Sequence, residues 1–454
     1  MKNEQAIVSF VCGTSFHDVP PAVVSITKDQ LLADIGTVIA GARAEGCETV
    51  VAMAKEAGGR PEASVFVHGG KVLAQQAAFV NAVMARALDF CDAVVPGAHP
   101  GTAIIYSALA AAELAGGVSG PDFLTAVAVG TELALRMNLG EAEYDGFDPT
   151  GVCVPFGSTA AVAKILGLSE AETWNALALA FCRCGGSFQA NVDGALAVRV
   201  IEGWAAETGV VCARLAGAGI TGPRNFLDGV YGYLHLFGRD HVTGASIVSG
   251  LGTDYRAKNL VFKKFPSCGA TQASTQMILD LIAEEGLEAD DVERVEITVP
   301  PYIHKLVGHP FQVGDNPKVN AQFNLRYCVA NALTRKASRL AHFEVDAIKA
   351  PAVLRLSERI EVIPDAALDA RGHTAVDMRI WTKDCREYVR GTDVAPGFPE
   401  SPLTKEEHLQ RFRDCIGFAT QTVAEEKVIG IIDWVAGLEA AEDIRGLAPL
   451  LLQE

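Results

Sequence analysis

No stretch of this 454-residue chain approaches the roughly 20 uninterrupted apolar residues of a membrane helix. Its Ala-rich runs, such as 104–114, are broken by Ser107 and Glu113 and read as buried helices of a soluble protein. Residues 1–14 hold no basic segment feeding a sustained apolar core, so a signal peptide is not expected and a cytoplasmic location is. Basic residues are also scarce: 38 Lys and Arg face 55 Asp and Glu, a net charge of −17. That balance disfavours nucleic-acid binding, which needs clustered cations, yet leaves an anionic substrate open because the local potential of a cleft decides it. The eleven cysteines are scattered, with no paired CxxC pattern and only a lone Cys182-Arg183-Cys184. Free, mostly buried thiols in a reducing compartment are the expectation. There is no P-loop, no G-x-S-x-G elbow, no strand-preceded G-x-G-x-x-G, and no pair of histidines at metal-binding spacing on one helix. A nucleotide, flavin or zinc enzyme is therefore not expected, and no cofactor or metal is assigned.

What is present is a globular balance, 49% hydrophobic and 20% charged, in a chain long enough for two domains. Leu31, Leu32, Ile35, Val38 and Ile39 mark one amphipathic helix, and Ala78, Val80, Val83, Met84 and Ala87 another. The run 116–121 stops one helix and starts the next, with Ser119 or Asp122 as cap. After Pro266 the pattern changes. Residues 292–299 alternate strictly, 359–362 more weakly, and 374–381 alternate again towards Tyr388 and Val389, all strand signatures. Helical spacing returns at 272–285 and 323–333. Residues 391–402, with two glycines and three prolines, read as a linker, and Thr404 with Glu407 forms a capping box opening a helical tail. The expected fold is mainly α: a large all-helical domain from residues 1–265 plus 400–454, with an inserted α+β domain at 266–399. A cleft between them is the default site.

Four segments hold polar residues in unusual company. The first carries Asp89, Asp92 and His99 among small and apolar residues, with His99 just ahead of a helix N-terminus, where anions are favoured. The second sets Lys263 and Lys264 between aromatics at the expected domain junction. A lysine desolvated there can act as a base, whereas a hinge lysine left in water would add little to packing. The third, 320–328, offers Gln322, Arg326 and Tyr327, Arg326 having the geometry to clamp a carboxylate. Capping by Asn320 is the plainer alternative. The fourth, 144–150, contains Tyr144 and Asp148 in a turn leading to a small-residue helix over 157–166.

Together with 109–114, 119–124, 156–169, 194–209 and 219–223, these segments in this order resemble the MmgE/PrpD family along nearly the whole chain. The resemblance implies a homodimer without cofactor, acting on a small di- or tricarboxylate by moving a proton next to a carboxylate, as a dehydratase, decarboxylase or epimerase. Asp89, His99, Lys263 and Tyr327 match pocket positions of the family. Three positions depart from its decarboxylase-like members: Asp148 and Cys268 stand where those carry His, and Val198 where they carry Lys before Arg199. A proton next to a carboxylate is weakly acidic, so its removal needs a close base and stabilisation of the developing enediolate. Lys263 is the first candidate base and His99 the second acid/base. Tyr327 or Tyr144 is the candidate donor, Asp89 an orienting group, and Arg326 or Arg199 a carboxylate ligand, with Asp148, Cys268 and Gln322 beside them. An elimination or decarboxylation is the leading reading, a dicarboxylate epimerase the second, and a non-catalytic carboxylate-binding protein the third.

Overall fold

The computed structural model describes residues 2–140 and 142–452. The chain is mainly α-helical, with one four-stranded sheet and two minimal strand pairs among the described residues. The helix Pro100–Leu114 lies at the centre, and every residue from Pro100 to Ala112 is buried. A helix hydrophobic all round belongs inside a bundle. Around it pack helices Pro21–Gly41, Ala74–Arg86, Gly120–Met137, Pro149–Ile165 and Ala197–Gly217. Small residues let them come close. An ideal Cβ on Gly130 would lie 2.6 Å from the Gly157 carbonyl oxygen, and one on Gly157 would lie 2.5 Å from that of Gly130. No larger side chain fits that crossing.

The apolar side chains form two main clusters. One draws on residues 7–262 and again on Leu403, Phe412, Val428, Ile431 and Val435, so both ends of the chain feed it. The second draws on residues 261–398 and Ala93. In the second, strands run in the order Ile360–Pro364, Val292–Val299, Val376–Thr382, Glu387–Thr392, the first pair parallel and the others antiparallel. Val295 pairs with Ile360 and Ile380, and Ile297 with Val362 and Met378, so one face is continuous and buried.

Several sequence expectations shift here. Ser119 and Thr404 cap as expected. The helix after Tyr144 begins at Pro149, not near 157, because Asp148 caps it and Pro149 fills the first helical position. Asn324, not Asn320, caps the helix Leu325–Arg335 by accepting from Tyr327 N, while Asn320 donates to Val313 O. Residues 391–402 are no solvated linker: Gly391 and Thr392 complete a strand, and Ala395 and Phe398 are buried. All eleven cysteines are free, seven of them buried. No helix among the described residues is long and apolar enough to cross a membrane.

Candidate active site

A two-residue antiparallel pair, Asp92 with Phe262 and Ala93 with Val261, ties the segment after helix Ala74–Arg86 to the segment that enters the second core. It brings the first and second candidate segments side by side. Asp89 takes a left-handed backbone (φ 51°) that turns its carboxylate inward. Lys263 Nζ lies 2.8 Å from Asp89 Oδ1 and donates to Asp89 O at 2.9 Å, while Arg86 donates to the same Oδ1 at 2.5 Å. Lys263 is 1% exposed, so it is a buried ion-pair partner and not a hinge lysine in water. Burial opposes ionisation of Asp89, but Lys263 and Arg86 outweigh it and hold its carboxyl down at about 2. Gln322 stitches the two segments: it donates to Leu88 O at 2.5 Å, and its own carbonyl accepts from Cys268 N at 3.0 Å.

His99 is the residue immediately before helix Pro100–Leu114. Its Nδ1 lies 2.8 Å from Asp92 O. A carbonyl only accepts, so Nδ1 carries the proton and Nε2 keeps its lone pair. Burial pushes the imidazole well below its ordinary value of 6.5, and Arg86 and Lys263 push the same way. Asp92 in turn accepts from Gln30 Nε2 at 2.7 Å and from Gly101 N at 3.1 Å, which fixes the helix start and with it the His99 ring.

Asp89, Lys263, Arg86 and His99 line a pocket between the two cores. Of the residues singled out from sequence, Asp89, His99, Asp148, Lys263 and Cys268 line it, as does Val198. Asp148 accepts from Thr150 N at 2.8 Å, and its carboxyl is raised chiefly by burial. Burial also pushes the Cys268 thiol up to about 11, so it is neutral. The structure does not bring the remaining candidates to the pocket wall, Gln322 among them, whose amide is spent on Leu88 O. Tyr144 is bound to Asn138 and Leu139 beside a neighbouring cavity, and Tyr327 donates to His342 O. Arg199 donates to Glu45 O, and Arg326 lies near His309. Two charged wall residues were missed, Arg86 and Glu202. Their only signal is one charge within a helical run, which by itself reads as a solvated face. No group of three or more His, Cys, Asp or Glu among the described residues is placed to hold a metal ion.

A mainly helical protein with a pocket of ionisable side chains between two apolar cores is the class that fold and site define. The chain belongs to the MmgE/PrpD family: the family's N-terminal domain matches residues 5–244 and its C-terminal domain residues 265–436. Among curated proteins it is similar to the cis-aconitate decarboxylase of Homo sapiens, 26% identical over 83% of this chain and 79% of that one. It is also similar to that of Mus musculus, 24% identical over 98% and 93%, and to one from Aspergillus terreus, 25% identical over 96% and 92%.

Proposed function

We propose that this protein is a cofactor-independent lyase that removes a proton from the carbon next to a carboxylate of a small polycarboxylate. The observation that carries this reading is His99, a neutral imidazole whose Nδ1–H is spent on Asp92 O and whose Nε2 is left as a base in the pocket. Lys263 and Arg86 stand nearby as fixed cations, suited to the negative charge that develops on the carboxylate oxygens as the proton leaves. Lys263 is thereby given a different role from the one its sequence suggested. An ammonium committed to two oxygens of Asp89 is an electrostatic group, and His99 is the better base. The similar curated proteins are named for a decarboxylation, which favours the lyase over the epimerase and over a non-catalytic binder.

The finer substrate reading rests on the three departures. Asp148, Val198 and Cys268 supply no cation where the decarboxylase-like pattern has His, Lys and His, so a dicarboxylate fits this pocket better than a tricarboxylate. The test is product analysis by NMR with 2-hydroxy dicarboxylates, 2-methylcitrate and cis-aconitate. An alkene or released CO2 is expected from at least one of them. Conversion of a dicarboxylate to its stereoisomer alone would overturn the lyase reading.

We further infer a division into residues 1–265 plus 400–454 and residues 266–399, supported by the two apolar clusters and by the packing of helix Lys405–Phe418 on Pro21–Gly41. A homodimer is proposed on the family resemblance.

A further inference from the structure

Three helices, Ala74–Arg86, Pro100–Leu114 and Ala197–Gly217, converge on one carboxyl group, that of Glu202. It lines the same pocket as His99 and is 1% exposed. Thr102 Oγ1 donates to Glu202 Oε2 at 2.9 Å. The other oxygen, Oε1, has no hydrogen-bond partner, and Arg86 Nε stays 3.8 Å away. A carboxylate kept for an ion pair would close that gap, since an unmade charged hydrogen bond in a dry interior is costly. A carboxylic acid has no such need. His99 as base, with Lys263 and Arg86 as fixed cations, leaves the departing group without a proton donor.

We propose that Glu202 is the general acid of the reaction, a role that rests on proton removal by His99. When His99 Nε2 takes the proton, the C–H pair passes into the enediolate, and from there it forms the new C=C bond as the pair of the C–O bond leaves with the β-oxygen. Glu202 gives its proton to that oxygen, which departs as water. A carboxylate then remains beside Arg86 and regains a proton from solvent, while His99 releases the one it took. The charged and titratable groups around Glu202 favour the protonated start: burial raises its carboxyl to about 8, Asp148 and Asp92 add to this, and Arg86 and the Thr102 hydrogen bond oppose it. Asp34, Cys91 and Cys153 also lie within electrostatic reach, and His99 and Lys263 share the pocket wall.

The test compares wild type, Glu202→Gln and Glu202→Asp on a 2-hydroxy dicarboxylate in deuterated buffer. It measures product formation, exchange of the proton next to the carboxylate, and the pH profile. Glu202→Gln should lose about a hundredfold or more in kcat, the usual worth of a general acid, with KM changed by less than about threefold. It should still exchange the substrate proton. The wild-type kcat should fall as pH rises through about 8, a limb that Glu202→Asp keeps and Glu202→Gln lacks. A Glu202→Gln enzyme within about threefold of wild type, or one that loses exchange together with turnover while still folded, would overturn the assignment. Absence of exchange in the wild type is a separate failure, that of His99 as base, and removes the assignment with it.

Discussion

At the scale of single residues, the site turns on how burial divides the labour among ionisable groups. Asp89 is held ionised by two cations, while Glu202 stays neutral with one cation out of hydrogen-bonding range. The two acids therefore act oppositely on stability. The folded value of Asp89, about 2 against an ordinary 3.8, lies below the unfolded one, so it contributes about 2 kcal/mol above pH 4, lost as pH falls towards 2. For Glu202 the folded value, about 8 against 4.5, is the higher, so stability is fullest below pH 4.5 and declines as pH rises to 8. Melting curves between pH 5 and 8 should flatten in Glu202→Gln; an unchanged slope would show that another group carries it. Lys263→Ala leaves Asp89 with Arg86 alone and should cost about 3 kcal/mol, with turnover lost as well. A melting temperature equal to wild type would contradict the buried pair. Asp89, His99 and Lys263 were legible in the sequence because charge sits there among small residues and prolines. Arg86 and Glu202 were not, because one charge in a helical run reads as a solvated face until three helices are known to meet on it.

At the scale of elements, the helix Pro100–Leu114 sets His99, the proposed base, in place from its N-terminus. Gly101 is needed there: an ideal Cβ would lie 2.4 Å from Asp34 Oδ2 and 2.4 Å from Asp92 Oδ1, both buried. Gly101→Ala must therefore displace Asp92, whose carbonyl fixes the His99 tautomer. It should destabilise by about 1–3 kcal/mol, the usual range for overpacking, and lower kcat more than it raises KM. Full activity in that variant would mean that the helix start does not position His99. Strands and long helices were legible from their periods of 2 and 3.6 residues. Helix starts were less so, because Asp148 and Asn324 act as caps only through hydrogen bonds to Thr150 and Tyr327, which composition does not reveal. The segment 391–402 has the composition of a linker, yet Phe398 reaches the pocket and Gly397 O accepts from Phe262 N at 2.9 Å. Glycine and proline there shape a close approach.

At the scale of the whole molecule, the pocket lies where side chains from both apolar clusters meet, and most of its charge is neutralised internally. Each carboxylate-binding contact that Val198 and Cys268 do not supply is worth about 1.5–3 kcal/mol, the scale of a hydrogen bond to a charged group. Dicarboxylates should therefore be turned over at least about tenfold more efficiently, in kcat/KM, than 2-methylcitrate or cis-aconitate, a difference of about 1.4 kcal/mol. Efficient itaconate formation from cis-aconitate in side-by-side kinetics would show that other groups replace the missing cations. The family resemblance and the helical class were legible over nearly the whole chain. Tyr144, Tyr327, Arg199 and Arg326 lay in matching or plausible segments, but their side chains are engaged elsewhere, which only packing decides. The central claim, proton removal by His99, is tested most directly by NMR of a 2-hydroxy dicarboxylate in deuterated buffer with wild type and His99→Gln. Wild type should wash deuterium into the position next to the carboxylate, and His99→Gln, folded and still binding the ligand, should leave that proton in place. Undiminished exchange in His99→Gln would contradict the account.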